Sequence, residues 1–292
     1  MKYYSVLRFC VLNVANFILP FYFKLTANNL NYRLEPSKKR TNKTIVSLTS
    51  FPARINKVWL VIETILHQTS RPDMIILWLS EEQFKNKEIL PKNLLMLQKR
   101  GLKIELRPGD LRSHKKYYYT LLEYPNDVMI TIDDDIFYKT TMIESLMKEH
   151  NKNIKTIVAQ YGRKMRRDIN EKLRPYNTWE LVDKETISSN DFFLGSGGGT
   201  LFPPNCLHKD ILNYNLFNEL TYYADDVWIN AMIRLSRNMI TQIPNPSLIL
   251  PVLIKKNKNL STINLSENMN DKQIAAVRAY YIANRGIDPF GI

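Results

Sequence analysis

Along the first half of the chain, short apolar runs alternate with longer stretches in which apolar residues recur every three or four positions. The runs are bounded by turn-forming residues, which predicts buried strands, and the periodic stretches predict helices. The strands are expected at Thr44–Leu48, Met74–Leu79, Lys103–Leu106 and Val128–Ile132, and the helices at Asn56–Gln68, Glu88–Arg100 and His114–Glu123. This alternation indicates an α/β fold with a mostly parallel sheet sandwiched by helices.

The second half of the chain is less periodic. A helix is expected to begin near Thr141, where Thr141 and Glu144 have the spacing of a capping box. The remaining elements are predicted as strands near Thr156–Ala159, Gly199–Phe202 and Ser247–Ile254, and a closing helix at Asp271–Ala283.

Three consecutive aspartates, Asp133, Asp134 and Asp135, directly follow the Val128–Ile132 run. Like charges at one strand end raise one another's pKa unless a cation lies among them. Alternate strand residues point the same way, so Asp133 and Asp135 are expected to converge on one divalent ion that shares its shell with phosphate oxygens. The alternative, in which the aspartates cap the next helix, is weakened because that helix has its own capping box.

Several polar segments follow predicted strands and therefore fall at one edge of the sheet. In open α/β sheets this carboxyl edge is where ligands bind. Arg54 is a cation at the mouth of the expected crevice, and Lys116 or Arg112 is the candidate that faces phosphate. The segments gathered there are Ser50–Arg54, Ser80–Glu82, Pro108–Arg112 and Asp133–Asp135.

Four of the nine glycines fall in the segment Gly195–Thr200. A run of this kind usually marks positive φ or a close approach of the backbone to a ligand. No Gly-Lys-Ser/Thr follows, and the segment leads into Leu201–Phe202 rather than a helix, so it is neither a P-loop nor a dinucleotide fingerprint. We interpret it as a substrate-contacting loop; the alternative is a flexible hairpin loop.

Two further aspartates, Asp225 and Asp226, precede a stretch with helical apolar spacing. The dipole at a helix start lowers the pKa of a carboxylate and keeps it ionised, which suits a general base. Capping of the helix is the alternative role.

The composition, 45% hydrophobic over 292 residues, indicates a folded protein. The net charge of +13 favours anionic partners, such as phosphorylated small molecules, nucleic acid or an anionic membrane, although solvated lysines explain it equally well. Two cysteines cannot form a disulfide framework, which favours a reducing, cytoplasmic location. The densest basic cluster comprises Arg163, Lys164, Arg166, Arg167, Lys172 and Arg174.

The stretch from Val6 to Phe23 is mostly apolar but is interrupted by polar residues and by Pro20. It falls short of the roughly 20 clean apolar residues that a spanning helix needs. We expect a helix that lies on the inner face of the cell membrane; a helix packed on the protein itself is the alternative.

The order of these motifs resembles that of the GT-A nucleotide-sugar glycosyltransferases, particularly bacterial enzymes that build cell-surface polysaccharides. Residues 45–54 are similar to the opening strand and loop of that family, and Asp133–Asp135 to its D-x-D element. The resemblance covers residues 44–255, divided into a nucleotide-sugar-binding half, 44–135, and an acceptor half, 136–255. Residues 1–43 then form an apolar and basic segment that precedes it, and residues 256–292 form a tail with a helix.

The resemblance implies a role for each candidate residue. Asp133 would contact the donor ribose or the metal, Asp135 would hold Mn²⁺ or Mg²⁺, and Asp225 or Asp226 would activate the acceptor. The familiar Glu-Asp form of the last element is Asp-Asp here, which leaves that choice open. The remaining donor-binding candidates are Ser50, Pro52, Arg54, Asp110, Lys116 and Asp134, and Gly197, Gly198 and Gly199 would border the acceptor.

The expected function is metal-dependent transfer of a sugar, with inversion, from a UDP- or GDP-sugar to a saccharide or lipid-linked saccharide, without nucleic acid. The alternatives are a sugar nucleotidyltransferase or another metal-diphosphate enzyme, a glycosidase, and a basic protein that binds membranes or nucleic acid without catalysis. Sugar nucleotidyltransferases and other metal-diphosphate enzymes usually have a glycine-rich phosphate loop near the first strand, whereas Thr49–Arg54 contains no glycine. A binding protein has no need of three crowded aspartates.

Overall fold

A computed structural model describes residues 2–34, 42–182, 191–244, 246, 248–254 and 268–291, with side chains from residue 9 onward. The helices are α1 (Lys2–Thr26), α2 (Val58–Leu66), α3 (Lys92–Met96), α4 (Lys115–Glu123), α5 (Met142–His150), α6 (Tyr214–Leu220), α7 (Asp225–Ser236) and α8 (Met269–Arg285). The strands are β1 (Thr44–Thr49), β2 (Met74–Ser80), β3 (Leu102–Arg107), β4 (Val128–Ile132), β5 (Ile136–Phe137), β6 (Ile157–Ala159), β7 (Gly162–Lys164), β8 (Glu180–Leu181), β9 (Phe192–Leu194), β10 (Gly198–Phe202), β11 (Ile240–Gln242) and β12 (Leu250–Pro251).

The central sheet has seven strands in the order β11-β6-β10-β4-β1-β2-β3. Strands β1 to β4 pair in parallel, whereas β10 runs antiparallel to both of its neighbours, β4 and β6. The prediction of a mostly parallel sheet is confirmed. Two small sheets flank it: β5 pairs with β12, and β7 pairs with β8 and β9.

Both faces of the central sheet are buried, as its continuous apolar strands require. Val46 and Leu48 pack on one face with residues of α2 and α5, and Ile45 packs on the other with residues of α4, α7 and α8. Adjacent strand residues thus belong to different cores, and the one polar residue between Val46 and Leu48, Ser47, is buried with its hydroxyl group donating to the Lys116 carbonyl oxygen. This is the sandwich of helices that the sequence predicts.

Two local predictions were wrong. The helix expected at Glu88–Arg100 is split into a short turn, α3 and a final 3-10 turn, because Pro91 lacks an amide hydrogen and serves as the N-cap of α3. The predicted stop at Gly101 is confirmed, with φ of +104°. The capping box at Thr141 was also wrong: Thr141 is the N-cap of α5 but its side chain makes no capping bond, and the Glu144 carboxylate accepts a hydrogen bond from the Thr69 hydroxyl group at 2.7 Å.

The strand expected at Ser247–Ile254 is reduced to the two residues of β12, and Ser247 itself lies outside the described residues. Helix α8 begins two residues earlier and ends two residues later than expected. The apolar helix expected near the start of the chain is α1. By length and composition Phe9–Thr26 is able to cross a membrane, with a mean hydropathy of 1.4 over 18 residues, of which 6% are buried.

Candidate active site

The carboxyl edge of the sheet collects the acidic and glycine-rich motifs because β10 runs against its neighbours. Gly198, at the start of β10, pairs with Ile132, the last residue of β4. The chain segment before β10 therefore lies beside the aspartates that follow β4. The backbone amide of Asp133 donates to the carbonyl oxygen of Gly197 at 2.9 Å, which joins the two segments.

Asp134 is buried and turned toward the loop after β1. Its carboxylate accepts hydrogen bonds from Ser50 Oγ and Arg54 Nη1, each at 2.6 Å. The same Arg54 nitrogen lies 2.8 Å from Asp135 Oδ2. Asp134 and Asp135 therefore share one cation, and the strict alternation expected of a strand is lost because the chain turns at these residues before β5. Burial raises the pKa of Asp134 despite the charge of Arg54.

Lys116 joins the two acidic motifs. Its Nζ lies 2.8 Å from Asp133 Oδ1 and 3.1 Å from Asp225 Oδ2, and its side chain is 3% exposed. Burial would lower the pKa of Lys116, but the charges of Asp133 and Asp225 raise it. Lys116 is therefore a permanent cation held between two carboxylates rather than a solvated residue of α4.

Asp225 and Asp226 begin α7 and have opposite electrostatic environments. Burial would raise the pKa of Asp225, but Lys116 and a hydrogen bond from Ser196 Oγ at 2.8 Å help to lower it to about 2. Burial and the charge of Asp225 raise the pKa of Asp226 to about 6, although its Oδ1 accepts the Ser196 amide at 2.8 Å. The expectation of a depressed pKa holds for Asp225 and was wrong for Asp226, because the neighbouring charge and burial outweigh the helix dipole.

The glycine segment is packed against side chains of the protein itself. A Cβ on Gly197 would lie 1.9 Å from a carboxylate oxygen of Asp133, and one on Gly198 would lie 2.3 Å from the ring of Tyr161. Gly199 has φ of +96°. The close backbone approach inferred from the sequence thus exists, and at Gly197 it is an approach to Asp133. The contact of these glycines with an acceptor stays a prediction.

Asp110 lies in the loop after β3. It accepts hydrogen bonds from the buried Lys115 Nζ, from Gln83 Nε2 at 2.6 Å and from the Arg112 amide at 3.0 Å. The Arg112 guanidinium stacks on the rings of two tyrosines, Tyr222 and Tyr223, at 4.3 and 4.7 Å from their centroids. These tyrosines come shortly before α7, so Arg112 ties the β3 loop to the segment that carries Asp225 and Asp226.

A divalent ion fits the chemistry of this edge, although a complete cage is not present. Burial and the charge of Asp133 raise the pKa of Asp135 to about 7, so the aspartates stand in a surplus of negative charge that a dication would relieve. Within the described residues, no three His, Cys, Asp or Glu side chains are grouped to hold a metal ion. Asp133 and Asp135 as the two protein oxygen donors of an ion that completes its shell with phosphate and water stay a prediction.

The structure brings most of the candidate residues together, while their contacts with ligands stay predictions. Pro52 is exposed in the loop that carries Ser50 and Arg54. The basic cluster seen in the sequence is partly used within the protein: Arg163 donates to the Trp179 carbonyl oxygen and Arg167 to that of Phe290. That cluster lies around β7, where the Arg163 guanidinium stacks on the ring of Tyr176 at 5.2 Å from its centroid.

Sequence reasoning missed Ser196 and Tyr138. The Ser196 side chain and amide bind Asp225 and Asp226 respectively, and the Tyr138 hydroxyl donates to the Gly197 carbonyl oxygen while it accepts the Asp133 amide. Ser196 is the polar residue inside the glycine segment, which was the available signal. Nothing in the local pattern marks Tyr138, since its partners are distant in sequence or belong to the backbone.

No protein-family model matches the sequence, and no curated protein matches it. The fold is similar to that of the mannosyltransferase PcManGT from Pyrobaculum calidifontis, solved in complex with GDP-Man and Mn²⁺: the TM-score is 0.52 at 12% identity, over 97% of this chain and 77% of that one. A 4-diphosphocytidyl-2C-methyl-D-erythritol synthase aligns at a TM-score of 0.44 and 11% identity, over 76% of this chain and 97% of that one. The similarity to PcManGT shows that the chain has a GT-A-like α/β fold, as the sequence predicts.

Proposed function

We propose that this protein is a glycosyltransferase that moves a sugar from a nucleoside-diphosphate sugar to an acceptor hydroxyl group. The single observation that carries the proposal is the cluster of five carboxylates at the carboxyl edge of a GT-A-like sheet. They are contributed by two elements, the end of β4 and the start of α7, and Lys116 links them. The aspartates at the end of β4 are available for the donor diphosphate, and those at the start of α7 for the acceptor.

Asp226 is the proposed general base. With a pKa of about 6 it is mostly ionised at neutral pH and still basic enough to accept a proton from the acceptor hydroxyl group. Asp225 is less suited, because Lys116 and Ser196 hold its charge and a pKa of about 2 makes it a weak base. Direct attack of the activated hydroxyl group on the anomeric carbon gives inversion. The Ser196 contacts would fix the position of both carboxylates.

Asp133 and Asp135 are the residues that would hold Mn²⁺ or Mg²⁺. Such an ion supplies charge neutralisation for the leaving nucleoside diphosphate. The roles of this chain's residues follow from their contacts: Arg54 and Ser50 fix Asp134, and Asp134 with Arg54 supports Asp135. The PcManGT complex with GDP-Man and Mn²⁺ is consistent with this proposal through its fold. We propose a UDP- or GDP-sugar as donor and a saccharide, free or lipid-linked, as acceptor.

A screen of nucleotide sugars in the presence of Mn²⁺ tests this proposal. We expect one donor to raise the thermal unfolding midpoint and to be hydrolysed slowly, with release of the nucleoside diphosphate. Binding to the folded state alone explains the stabilisation, which should reach about 2.7 kcal/mol at a hundredfold excess over Kd.

The chemical products separate the proposal from its rival. A nucleotidyltransferase would convert a nucleoside triphosphate and a sugar phosphate into a nucleotide sugar and pyrophosphate. In the reverse direction it would consume pyrophosphate. If such a pair reacts while every nucleotide sugar is inert, glycosyl transfer is excluded. A parallel assay without the protein, at the same Mn²⁺ concentration, serves as the control for non-enzymatic hydrolysis.

A further inference from the structure

Helix α1 has two opposite faces with different environments. One stripe contacts the rest of the protein: Asn16, Leu19, Phe23 and Thr26 recur at helical spacing, and Phe23 is 3% exposed. At 3.6 residues per turn, the opposite stripe carries exposed apolar side chains. These are Val14, Phe17, Ile18, Phe21 and Leu25, with Phe17 84% and Phe21 66% exposed. An apolar patch of this kind on a folded chain marks an interaction surface.

The docked stripe is held by specific contacts at both of its ends. Asn16 Nδ2 donates to the Pro251 carbonyl oxygen at 2.9 Å, and Asn16 Oδ1 accepts the Leu253 amide at 2.7 Å. Ten residues later, Thr26 Oγ1 lies 3.2 Å from His67 Nε2, and Tyr32 stacks on the same imidazole. One face of the helix at residues 16–26 is therefore packed on the rest of the protein.

This docking rules out α1 as a membrane-spanning helix in the described fold. Residues 16–26 occupy roughly 16 Å of helix at 1.5 Å per residue. That is more than half of the roughly 30 Å thickness of a bilayer's hydrocarbon core. A spanning helix would have to carry the polar surface around Pro251 and His67 into lipid. A helix in the membrane plane instead buries only its exposed face.

The charge near the docked end favours an anionic surface. Lys24 and Arg33 are exposed, and Arg71, also exposed, donates to the Arg33 carbonyl oxygen at 3.2 Å. Tyr32 stacks on His67, which also contacts Phe23, so this basic group borders the end of α1. Basic residues beside an apolar helix face are attracted by anionic lipid headgroups.

We propose that α1 lies in the plane of an anionic lipid bilayer, with its exposed apolar stripe among the acyl chains and its opposite stripe docked on the catalytic domain. The helix also positions the acidic edge. Asn16 binds β12, whose neighbour Val252 donates its amide to the Asp135 carbonyl oxygen at 2.7 Å. If the proposed function holds, this connection keeps the donor site near the lipid surface and favours an acceptor carried on a membrane lipid.

Co-sedimentation of the full chain with vesicles tests the lipid contact. With phosphatidylcholine vesicles that contain about 30% phosphatidylglycerol, the double variant Phe17→Ser/Phe21→Ser should lose at least about tenfold in affinity, since two large apolar side chains no longer enter the bilayer. The matched control is Ile169→Ser/Leu181→Ser, which removes side chains 96% and 59% exposed elsewhere on the surface. Equal loss in both variants, or no binding by the wild type, would overturn the proposal.

The lipid composition and the depth of insertion separate the remaining outcomes. Binding that is as strong to pure phosphatidylcholine would contradict an anionic surface. Cys206 is buried, so a fluorophore can be attached to Cys10, or to residue 17 in the variant Cys10→Ser/Phe17→Cys. Both labels should be quenched best by nitroxides at the boundary between headgroups and acyl chains, and at the same depth, whereas quenching at the bilayer centre for residue 17 alone would indicate a spanning helix. No readout uses a nucleotide, so failure here is distinct from failure of the proposed function.

Discussion

Replacement of Lys116 by methionine should destabilise the protein by about 3 kcal/mol at pH 7. Methionine matches the length and the apolar stem of lysine, so the main loss is the charge between Asp133 and Asp225. Removal of one partner of a buried ion pair leaves the other charge uncompensated, which typically costs about 3–5 kcal/mol. The lower value is expected because the Asp133 side chain is 43% exposed and can be hydrated. Urea unfolding, followed by circular dichroism, measures the change.

The control is Lys164→Met, which removes an exposed lysine from β7 and should change the free energy of unfolding by less than about 0.5 kcal/mol. Addition of Asp225→Asn to the Lys116→Met variant should restore part of the lost stability, since the orphaned charge is then gone. The loss in Lys116→Met should also shrink in acid, where Asp225 takes up a proton. A Lys116→Met variant as stable as the wild type would show that Lys116 is not the electrostatic link between the motifs.

Asp226→Asn should lower kcat by about 10²–10⁴-fold, the usual contribution of a general base, and leave the affinity for the donor nucleotide within about twofold. Asparagine can still accept the Ser196 amide, so the local hydrogen bond is kept. In the wild type, kcat/KM should rise with pH through about 6, because the base must lose its proton. Turnover of the donor identified by the screen, measured over pH 5 to 8, gives both quantities.

The same substitution should raise stability at pH 7.5 by up to about 3 kcal/mol. The folded-state pKa of Asp226 lies above its ordinary value, so the folded protein binds this proton more tightly than the unfolded chain. The free energy of unfolding therefore falls as pH rises from about 4 to about 6, where the folded protein has to give up this proton. Asparagine carries no charge, so the variant does not suffer this loss of stability. Asp225 has the opposite sign: the stability from its lowered pKa is present above about 4 and is lost toward pH 2. An Asp226→Asn variant that keeps full activity would eliminate Asp226 as the base.

The parts of the fold that the sequence predicts are those fixed by local patterns. The apolar runs of β1, β2 and β4 have no competing periodicity, and Gly101 ends the preceding segment because it adopts positive φ easily. The prediction of one helix at Glu88–Arg100 was wrong because Pro91 interrupts it. The apolar spacing of the segment is helical on both sides of Pro91, so the spacing alone does not reveal the interruption. The prediction of a capping box at Thr141 was wrong, and the Glu144 carboxylate binds the Thr69 hydroxyl group instead. Thr69 is distant in sequence, so no local pattern predicts this contact.

In the candidate site, too, the features set by local sequence are predictable and those set by contacts between distant residues are not. The aspartates after β4 are visible in the sequence because crowded charges at a strand end are unusual. The role of Lys116 is not visible, since Asp225 lies far along the chain and the antiparallel insertion of β10 brings their elements together. The different pKa values of Asp225 and Asp226 also depend on this long-range contact, so the sequence left the choice between them open.

The central claim is that Asp133 and Asp135 form the metal-dependent binding site for a donor diphosphate. Calorimetry of UDP and GDP with Mn²⁺, on the wild type and on Asp135→Asn, tests it most directly. One nucleotide should bind the wild type only when Mn²⁺ is present, chelation of the metal with EDTA should abolish the binding, and Asp135→Asn should lose it. Undiminished, metal-dependent affinity in Asp135→Asn would show that Asp135 does not hold the metal.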